Sequence, residues 1–219
     1  MNVLEACRHH SCHHLVYASS SSVYGANKNV PFSENDFVDN PISFYAATKK
    51  SNELMAHTYS HLYKIPMTGL RFFTVYGPWG RPDMAPMKFA RAISQKQAID
   101  VDNHGDMSRD FTYIADIVEG VVRVLDKPPE NNGDTGSAPY RIFNIGRGAP
   151  MPLMQFISAM ESALGCEAIK RFLPMQAGDV PATAADTQAL RDWVGYSPST
   201  TVEEGVAAFI AWYQGYYQG

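Results

Sequence analysis

Residues 15–25 read LVYASSSSVYG, an apolar run that passes directly into four serines. The first part, Leu15–Ala18, has the pattern of a short buried strand. In α/β proteins the sites are built where parallel strands end, and this strand ends in hydroxyl groups. A run of serines by itself is more often a polar loop, because serine favours turns. The stretch therefore predicts a strand of an α/β sheet and a following turn that is either a polar loop or part of a site.

Helical and strand-like patterns alternate around this stretch. Residues 1–9 have a helical pattern, and a long helix is predicted from about residue 44 to just before Pro66. The apolar run Met67–Tyr76 predicts the next strand. Four further helices are predicted: near Pro86–Gln95, after the capping-box-like pair Asp116 and Glu119, over Leu153–Leu164, and from near Thr201. A loop is predicted over 128–140 and a strand over Arg141–Ile145. This alternation predicts a largely parallel α/β sheet.

The 219 residues contain no glycine-rich turn of the kind that binds dinucleotide phosphates. The nearest candidate, GRGAP at 146–150, lacks a third glycine and leads into further proline, so it predicts a plain strand-to-helix turn. Backbone amides of a glycine-rich turn normally hold the pyrophosphate. We therefore expect these residues alone to bind a dinucleotide poorly.

The composition argues against several classes of protein. A formal net charge of -4 provides no basic field for nucleic acid. No apolar run approaches the roughly 20 residues of a membrane helix. The three cysteines (Cys7, Cys12 and Cys166) are too few for a disulfide framework. We expect a cytoplasmic protein without a nucleic-acid or membrane partner.

Two segments carry residues of the types that bind metal ions. Residues 7–14 read CRHHSCHH, and His57 and His61 lie four apart on the predicted helix. Zinc sites need further ligands at a suitable spacing, and Cys166 stands alone. The first segment therefore predicts a helix end and turn, the second ordinary packing or surface residues, and no metal site is expected.

Tyr45 and Lys49 lie four residues apart near the start of the long predicted helix, so their side chains share one face. A nearby ammonium stabilises a phenolate, which suits a general base for a sugar hydroxyl. The spacing alone is weak evidence, because chance produces it often. Together with the serine run it is much stronger evidence for a catalytic site.

Six segments together resemble one known family. LVYASSSSVYG and YAATK are followed by GLRFFTVYGPWGRPDMA, SRDFTYIADIVEG, GDVPATAADT and the terminal GYSPSTTVEEGVAAFIAWY. They resemble the extended short-chain dehydrogenase/reductase family of NAD-dependent epimerases and dehydratases, and within it most closely the UDP-glucuronate 4-epimerases. The resemblance runs through the whole chain. It implies a truncated Rossmann-type doubly wound parallel sheet with a smaller α/β substrate-binding domain.

The resemblance implies catalytic and cofactor roles for four residues. Tyr45 matches the catalytic tyrosine, Lys49 the lysine that holds the nicotinamide ribose, and Ser20 the catalytic serine or threonine. Phe72 is implied as a further contact of NAD, beside Tyr45 and Lys49. Tyr45 would remove the proton of the 4-hydroxyl while hydride passes to NAD, and after the 4-keto sugar rotates the hydride would return to its other face.

The resemblance also implies substrate contacts. Arg109 in SRDFTYI matches an arginine that contacts the substrate diphosphate, which a guanidinium binds bidentately, and Arg81 is a second candidate. Without the resemblance, each would be read as a surface ion pair. Thr74 could bind a sugar carboxylate and Asp179 matches a nucleotide contact; their alternatives are a strand hydroxyl and a turn aspartate. Arg71, inside an apolar run, predicts a paired structural charge.

The implied domains are discontinuous. Residues 1–78 and 110–146 are expected to form the remaining part of the Rossmann-type domain with the catalytic residues, and 79–109 and 147–219 the substrate domain. Relatives begin with a βαβ unit that carries the glycine-rich turn. We therefore expect a truncated form from which the main NAD-binding segment is absent.

The residues after Ser20 bear on the reaction. The serine run leaves the match open by one position, so Ser21 and Ser22 are placed in the substrate site. Dehydratases of the family carry an Asp–Glu pair there and related decarboxylases a glutamate, whereas hydroxyls cannot readily act as acid and base near neutral pH. The implied reaction interconverts UDP-glucuronate and UDP-galacturonate. A dehydratase or decarboxylase, and a catalytically silent sugar-nucleotide-binding module, are the alternatives, and a homodimer through the Tyr45-bearing helix is the expected assembly.

Overall fold

A computed structural model describes residues 1–130, 138–176 and 178–217. In chain order, the helices and strands of these residues are α1 (Asn2–His9), β1 (Leu15–Ser20), α2 (Phe44–Tyr63), β2 (Met67–Phe72), β3 (Thr74–Tyr76), α3 (Ala85–Ser94), β4 (Ala98–Val101), β5 (Ser108–Arg109), β6 (Phe111–Tyr113), α4 (Ile114–Leu125), β7 (Tyr140–Ile145), β8 (Met151–Pro152), α5 (Leu153–Leu164), β9 (Ile169–Phe172), α6 (Gln188–Val194) and α7 (Val202–Tyr217). The chain divides into two compact units. The first comprises Met1–Phe73, Val118–Ile145 and Ala185–Ser197, and the second Thr74–Ile117, Gly146–Ala184 and Pro198–Gly219.

The first unit is built on a parallel sheet with the strand order β1-β2-β7. Ser20 is level with Phe72, and Phe72 with Ile145, so the three strands end together at one edge of the sheet. Strand β2 is buried from Met67 to Arg71, as is usual for a strand with parallel neighbours on both sides. The parallel sheet and its helical connections confirm the predicted α/β class.

The prediction of one strand over Met67–Tyr76 is wrong, because this run forms both β2 and β3. Up to Phe72 the backbone pairs with β1 and β7, and from Thr74 it pairs with β6. The Phe73 amide donates to the Ile145 carbonyl, whereas the Thr74 amide donates to the Asp110 carbonyl, each over 3.2 Å. An apolar run indicates that a segment is buried but does not show which strand lies beside it. The pattern therefore could not show this change of partner strand.

Two long helices begin at side-chain caps, where the sequence predicts them. At the start of α2, the Ser43 hydroxyl accepts a hydrogen bond from the Ala46 amide over 3.1 Å. At the start of α7, the Thr201 hydroxyl accepts from the Glu204 amide over 3.2 Å, and the Glu204 carboxylate accepts from the Thr201 amide over 3.0 Å. This reciprocal pair is a capping box and satisfies backbone amides that the helix leaves unpaired.

The capping role predicted for Asp116 and Glu119 is wrong. Helix α4 begins at Ile114, so both residues lie inside it. The Asp116 carboxylate instead accepts a hydrogen bond from the Thr200 amide over 3.0 Å. The strand β6 runs directly into α4, which places the start of the helix two residues before the acidic pair.

The second unit has an apolar core to which α5 and α7 contribute. Phe156 and Ile157 on α5 and Phe209 and Ile210 on α7 are at most 1% exposed, as the predicted apolar stripes require. Phe111 stacks on Phe156 with ring centroids 4.0 Å apart. Strands β4 and β9 pair in parallel in this unit. No strand is predicted at either place, since four-residue strands with charged residues carry little apolar signal.

Part of the predicted loop over 128–140 lies outside the described residues. Helix α6 was not predicted, because its seven residues carry too short an apolar pattern. Within the described ranges, none of the helices has the length and apolar character needed to cross a membrane.

Candidate functional site

The serine run forms the end of β1 and the cap of a following turn. Ser19 is 2% exposed, and its hydroxyl donates to the Glu53 carboxylate over 2.6 Å. The Ser20 hydroxyl accepts from the Ser22 amide and donates to the Ser22 hydroxyl, both over 3.1 Å. It thereby caps a 3-10 turn over Ser21–Tyr24. The run is therefore not a solvated polar loop, and Ser19 is committed to the interior.

Lys49 connects the start of α2 to the end of β1. Its Nζ donates to the Ala18 carbonyl over 3.0 Å and lies 5.7 Å from the centroid of the Tyr45 ring. The Tyr45 side chain is 51% exposed. The predicted shared face of these two residues is confirmed, and the ammonium stands between the tyrosine and the strand that ends at Ser20.

Phe72 is half-buried at the end of β2 and is level with Ser20 on the neighbouring strand. The structure thus brings Ser20, Tyr45, Lys49 and Phe72 together at the carboxyl edge of the first unit's sheet. This is the edge at which α/β proteins bind ligands. The chemical roles of these residues stay predictions.

A buried ion pair lies behind the serine run. Arg71 donates from Nε and Nη2 to the two Glu53 oxygens, 2.9 Å each, and both side chains are at most 3% exposed. Burial by itself lowers the pKa of Arg71, but its hydrogen bonds to Glu53 raise that pKa overall. The predicted pairing of Arg71 is confirmed. Sequence reasoning missed its partner, although Glu53 stands four residues after Lys49 on the same helix.

A chain of polar side chains continues from this pair. Arg71 Nη1 donates to the Tyr24 hydroxyl over 3.0 Å, and that hydroxyl donates to Asn144 Oδ1 over 2.6 Å. Burial raises the pKa of Tyr24 to about 12. The Glu34 carboxylate accepts a hydrogen bond from the backbone amide of Asn144 over 2.7 Å, and burial raises the pKa of Glu34. Four segments of the first unit are held together by these contacts.

The second unit contains a cavity of about 500 Å³. Three of the predicted substrate residues line it: Thr74, Arg109 and Asp179. Apolar side chains form about half of its lining, among them Phe89, Ile99, Met107, Phe111 and Leu153, and the charged side chains of Lys88, Asp100 and Asp102 also line it. Apolar walls that carry placed polar groups are usual in small-molecule sites.

Arg109 is oriented by contacts from two directions. Its Nη2 lies 2.7 Å from Asp179 Oδ1, and its Nη1 donates to the carbonyls of Ser108 (3.0 Å) and Pro181 (3.2 Å). The side chain is 15% exposed and that of Asp179 39%. Burial lowers the pKa of the guanidinium, an effect that Asp179 opposes. The arginine stays a cation, because its ordinary pKa lies far above neutrality.

Arg81 is not among the residues that line this cavity. Its side chain is 69% exposed and pairs with Asp83 over 2.5 Å. The arrangement matches the surface ion pair that the sequence offers as an alternative. A substrate role of Arg81 stays a prediction.

The GRGAP segment joins β7 to the two-residue strand β8, which leads directly into α5, so the predicted turn leads to a short strand before the helix. The amides of Arg147 and Gly148 donate to the two oxygens of the Asp110 carboxylate, 3.0 and 2.9 Å. Asp110 is fully buried. Amides that could have bound a phosphate are therefore occupied by a side chain of the protein. Among the described residues, no group of three or more histidine, cysteine, aspartate or glutamate side chains could hold a metal ion.

Comparison with known proteins places this parallel α/β architecture in one family. The family model described as the NAD dependent epimerase/dehydratase family matches residues 1–146, more than half of the chain. The chain belongs to this family.

Individual relatives agree with this placement. An uncharacterized 37.6 kDa protein of Escherichia coli O111:H- is 56% identical, over all of this chain and 68% of its own length. A probable UDP-glucuronate 4-epimerase of Rhizobium meliloti is 52% identical, over 99% of this chain and 67% of its own. The crystal structure of UDP-glucuronic acid 4-epimerase from Bacillus cereus, in complex with UDP-glucuronic acid and NAD, is 33% identical with a TM-score of 0.87, over 98% of this chain and 66% of its own. This chain thus spans about two thirds of their length.

Proposed function

We propose that this chain supplies the proton-transfer and sugar-nucleotide-binding residues of a UDP-glucuronate 4-epimerase, which interconverts UDP-glucuronate and UDP-galacturonate through a 4-keto intermediate. The observation that carries the proposal is the position of Lys49, bonded to the end of β1 and beside the half-exposed Tyr45. The names of the Rhizobium meliloti and Bacillus cereus relatives support the choice of substrate.

Proton transfer is assigned to the first unit. Tyr45 takes the proton of the sugar 4-hydroxyl, since its phenol reaches solvent while Lys49 holds a positive charge next to the ring. Ser20 sits at the end of β1 and exchanges a hydrogen bond with the reacting oxygen. Its hydroxyl accepts from the Ser22 amide and donates its one proton to the Ser22 hydroxyl, so donation to the sugar oxygen requires that this second bond be exchanged.

Three residues fit the nicotinamide-ribose end of NAD. One N–H of the Lys49 ammonium is bonded to Ala18, which leaves two donors for ribose hydroxyls. Tyr45 adds a hydroxyl and Phe72 a half-buried ring at the same sheet edge. When bound, NAD supplies the acceptor and donor of hydride at the sugar carbon. The amides of Arg147 and Gly148 do not serve its pyrophosphate, because Asp110 occupies them.

Nucleotide binding is assigned to the second unit. Arg109 contacts the diphosphate, for which a planar guanidinium with several N–H donors is suited. Asp179 contacts the nucleotide, and the Thr74 hydroxyl contacts the glucuronate carboxylate. All three line the same cavity, whose apolar wall can take a base ring.

The hydroxyls of Ser21 and Ser22 favour epimerisation over the alternatives within the family. Loss of water or carbon dioxide needs an acid and a base beside the reacting carbons, and hydroxyls do not titrate near neutral pH. They can donate hydrogen bonds to a carboxylate without catalysing its loss. A silent sugar-nucleotide-binding module is the remaining alternative.

Product analysis tests the proposal. The chain is incubated with UDP-glucuronate and NAD, both alone and together with the third of the Rhizobium meliloti relative that it does not span. In the mixture that contains this third of the relative, NMR should show UDP-galacturonate without net reduction of NAD. A pentose or a 4-keto-6-deoxy sugar as the main product would refute the epimerase assignment. Binding of UDP-glucuronate without any product in either mixture would establish the silent module.

We also propose that two copies of the chain associate through α2. Leu54 and Leu62, eight residues apart on that helix, are 58% and 60% exposed. Light scattering of Leu54→Asp against the exposed control Lys28→Asp tests this. The first variant should shift the mass toward that of one chain, and identical masses for wild type and Leu54→Asp would contradict the proposal.

A further inference from the structure

Helix α2 is joined to β1 at two successive residues of the strand. Lys49 Nζ donates to the Ala18 carbonyl over 3.0 Å, and the Ser19 hydroxyl donates to Glu53 over 2.6 Å. Tyr45, Lys49 and Glu53 are spaced four apart, which puts them on one face of the helix. The face that carries the proposed base is therefore attached to the strand at two points.

The second attachment is rigid. Glu53 is 2% exposed and receives two hydrogen bonds from Arg71 besides the one from Ser19. Arg71 in turn lies over the ring of Tyr24, with 4.9 Å between its Cζ and the ring centroid. Charge-assisted and bidentate hydrogen bonds fix the geometry of both partners. The carboxylate therefore has a single orientation, set by Ser19 on β1 and Arg71 on β2.

Stability alone is a weak explanation of this pair. Desolvation offsets much of the attraction in a buried ion pair, and apolar residues of similar volume often stabilise a fold as well. They could not accept the hydrogen bond from Ser19. Ser19 is also the residue directly before Ser20, whose hydroxyl is the proposed partner of Tyr45 in proton transfer.

We infer that Glu53 is a positioning residue, which holds Ser20 on β1 and Tyr45 on α2 at their working separation through its bonds to Ser19 and Arg71. The inference rests on the proposed function for the roles of Ser20 and Tyr45. Rates of proton transfer depend steeply on such a separation: a displacement of about 1 Å can cost roughly 100-fold.

Ser19→Ala tests the inference with the smallest change, because it removes one hydroxyl and leaves the ion pair in place. Ser60→Ala is the matched control: Ser60 lies on the same helix, is fully buried, and its hydroxyl has no hydrogen-bond partner among the described residues. We expect Ser19→Ala to lower kcat by about tenfold or more with little change in KM. Ser60→Ala should leave both unchanged, and Ser19→Thr, which keeps the hydroxyl, should recover most of kcat.

Two further measurements separate positioning from stability. Val124→Ala, in helix α4, removes buried methyl groups and should lower Tm without lowering kcat. Hydrogen exchange at the amides of residues 46–50 should be faster in Ser19→Ala and unchanged in Ser60→Ala, a readout that needs no turnover. Exchange and kcat equal to those of Ser60→Ala would overturn the inference, as would an equal loss of kcat in Val124→Ala. A wild type that does not epimerise would refute the proposed function, and the exchange rates would still decide whether Ser19 and Glu53 hold the start of α2.

Discussion

Arg109 Nη2 lies 2.7 Å from Asp179 Oδ1, and this ion pair stands in the wall of the second unit's cavity. Because two carbonyls hold Nη1 of the same guanidinium, its orientation is set before any ligand enters. A preorganised donor loses little conformational entropy on binding. Asp179 accepts from Nη2, so an incoming phosphate competes with this carboxylate for the guanidinium.

Arg109→Ala should weaken the binding of UDP to the chain. Loss of charge-assisted hydrogen bonds to phosphate typically costs about 1.5–3 kcal/mol, or roughly tenfold to more than a hundredfold in Kd. The affinity of Arg109→Lys for UDP should lie between those of the wild type and Arg109→Ala, since an ammonium cannot pair bidentately. Titration calorimetry with UDP measures this, and Arg123→Ala, which removes an exposed arginine of α4, is the control. Equal affinities of wild type and Arg109→Ala would place the diphosphate elsewhere.

Tyr45→Phe should abolish most turnover while sparing sugar-nucleotide affinity. Removal of one general base typically lowers kcat by about 100- to 10,000-fold, and the ring itself is retained. Tyr63→Phe, at the other end of α2, is the matched control and should keep full activity. Turnover is measured by NMR in the mixture that is active for the wild type. A Tyr45→Phe protein with wild-type kcat would remove the tyrosine from the reaction.

Glu34→Gln should stabilise the first unit at neutral pH. Burial raises the pKa of Glu34 above its ordinary 4.5, so the charged carboxylate is less favourable in the folded state than in the unfolded state. The preference of the folded state for the protonated acid is fully present below pH 4.5 and is lost as the pH rises through the folded-state pKa. The glutamine keeps an oxygen to accept the Asn144 amide. Urea unfolding at pH 5 and pH 8 should show a larger gain from Glu34→Gln at pH 8.

An exposed glutamate provides the comparison for that measurement. Glu167→Gln should change the free energy of unfolding by little at either pH. If Glu34→Gln and Glu167→Gln have the same pH dependence, burial does not disfavour the Glu34 charge.

Thr201→Ala should destabilise the second unit through the start of α7. The hydroxyl that caps the Glu204 amide is lost, and removal of such a cap typically costs about 1 kcal/mol. Thr201→Ser retains the hydroxyl and should lose far less. Urea unfolding followed by circular dichroism measures the difference. A Thr201→Ala protein as stable as Thr201→Ser would show that the cap makes no net contribution.

Local chemistry accounts for the parts of the fold that could be predicted. Serine and threonine often begin a helix when they precede a helical pattern, because their hydroxyls accept hydrogen bonds from the first amides of the helix. Ser43 and Thr201 do so here. Likewise, Tyr45 and Lys49 share a face because the helical period places residues four apart side by side. The parallel α/β class followed from the alternation of patterns, which depends only on which residues are apolar.

Partners distant in the sequence were beyond such reasoning. Strands β2 and β3 read as one apolar run, and only the change from β7 to β6 as a neighbour separates them. Asp116 looks like a helix cap, yet its carboxylate is bonded to the Thr200 amide, 84 positions away. The strand boundary and the role of Asp116 both depend on which segments pack against each other in the fold. Apolar periodicity does not show which segments these are.

The same division applies to the candidate site. The sequence by itself determined which residue types stand after β1 and at the start of α2, and so the chemistry available there. Only the tertiary structure decided that Ser19 is bonded to Glu53, that Arg71 completes that pair, and that Asp179 lies beside Arg109. The physical reason is that a hydrogen bond depends on distances of about 3 Å, and such distances between remote residues are set by the packing of whole helices and strands.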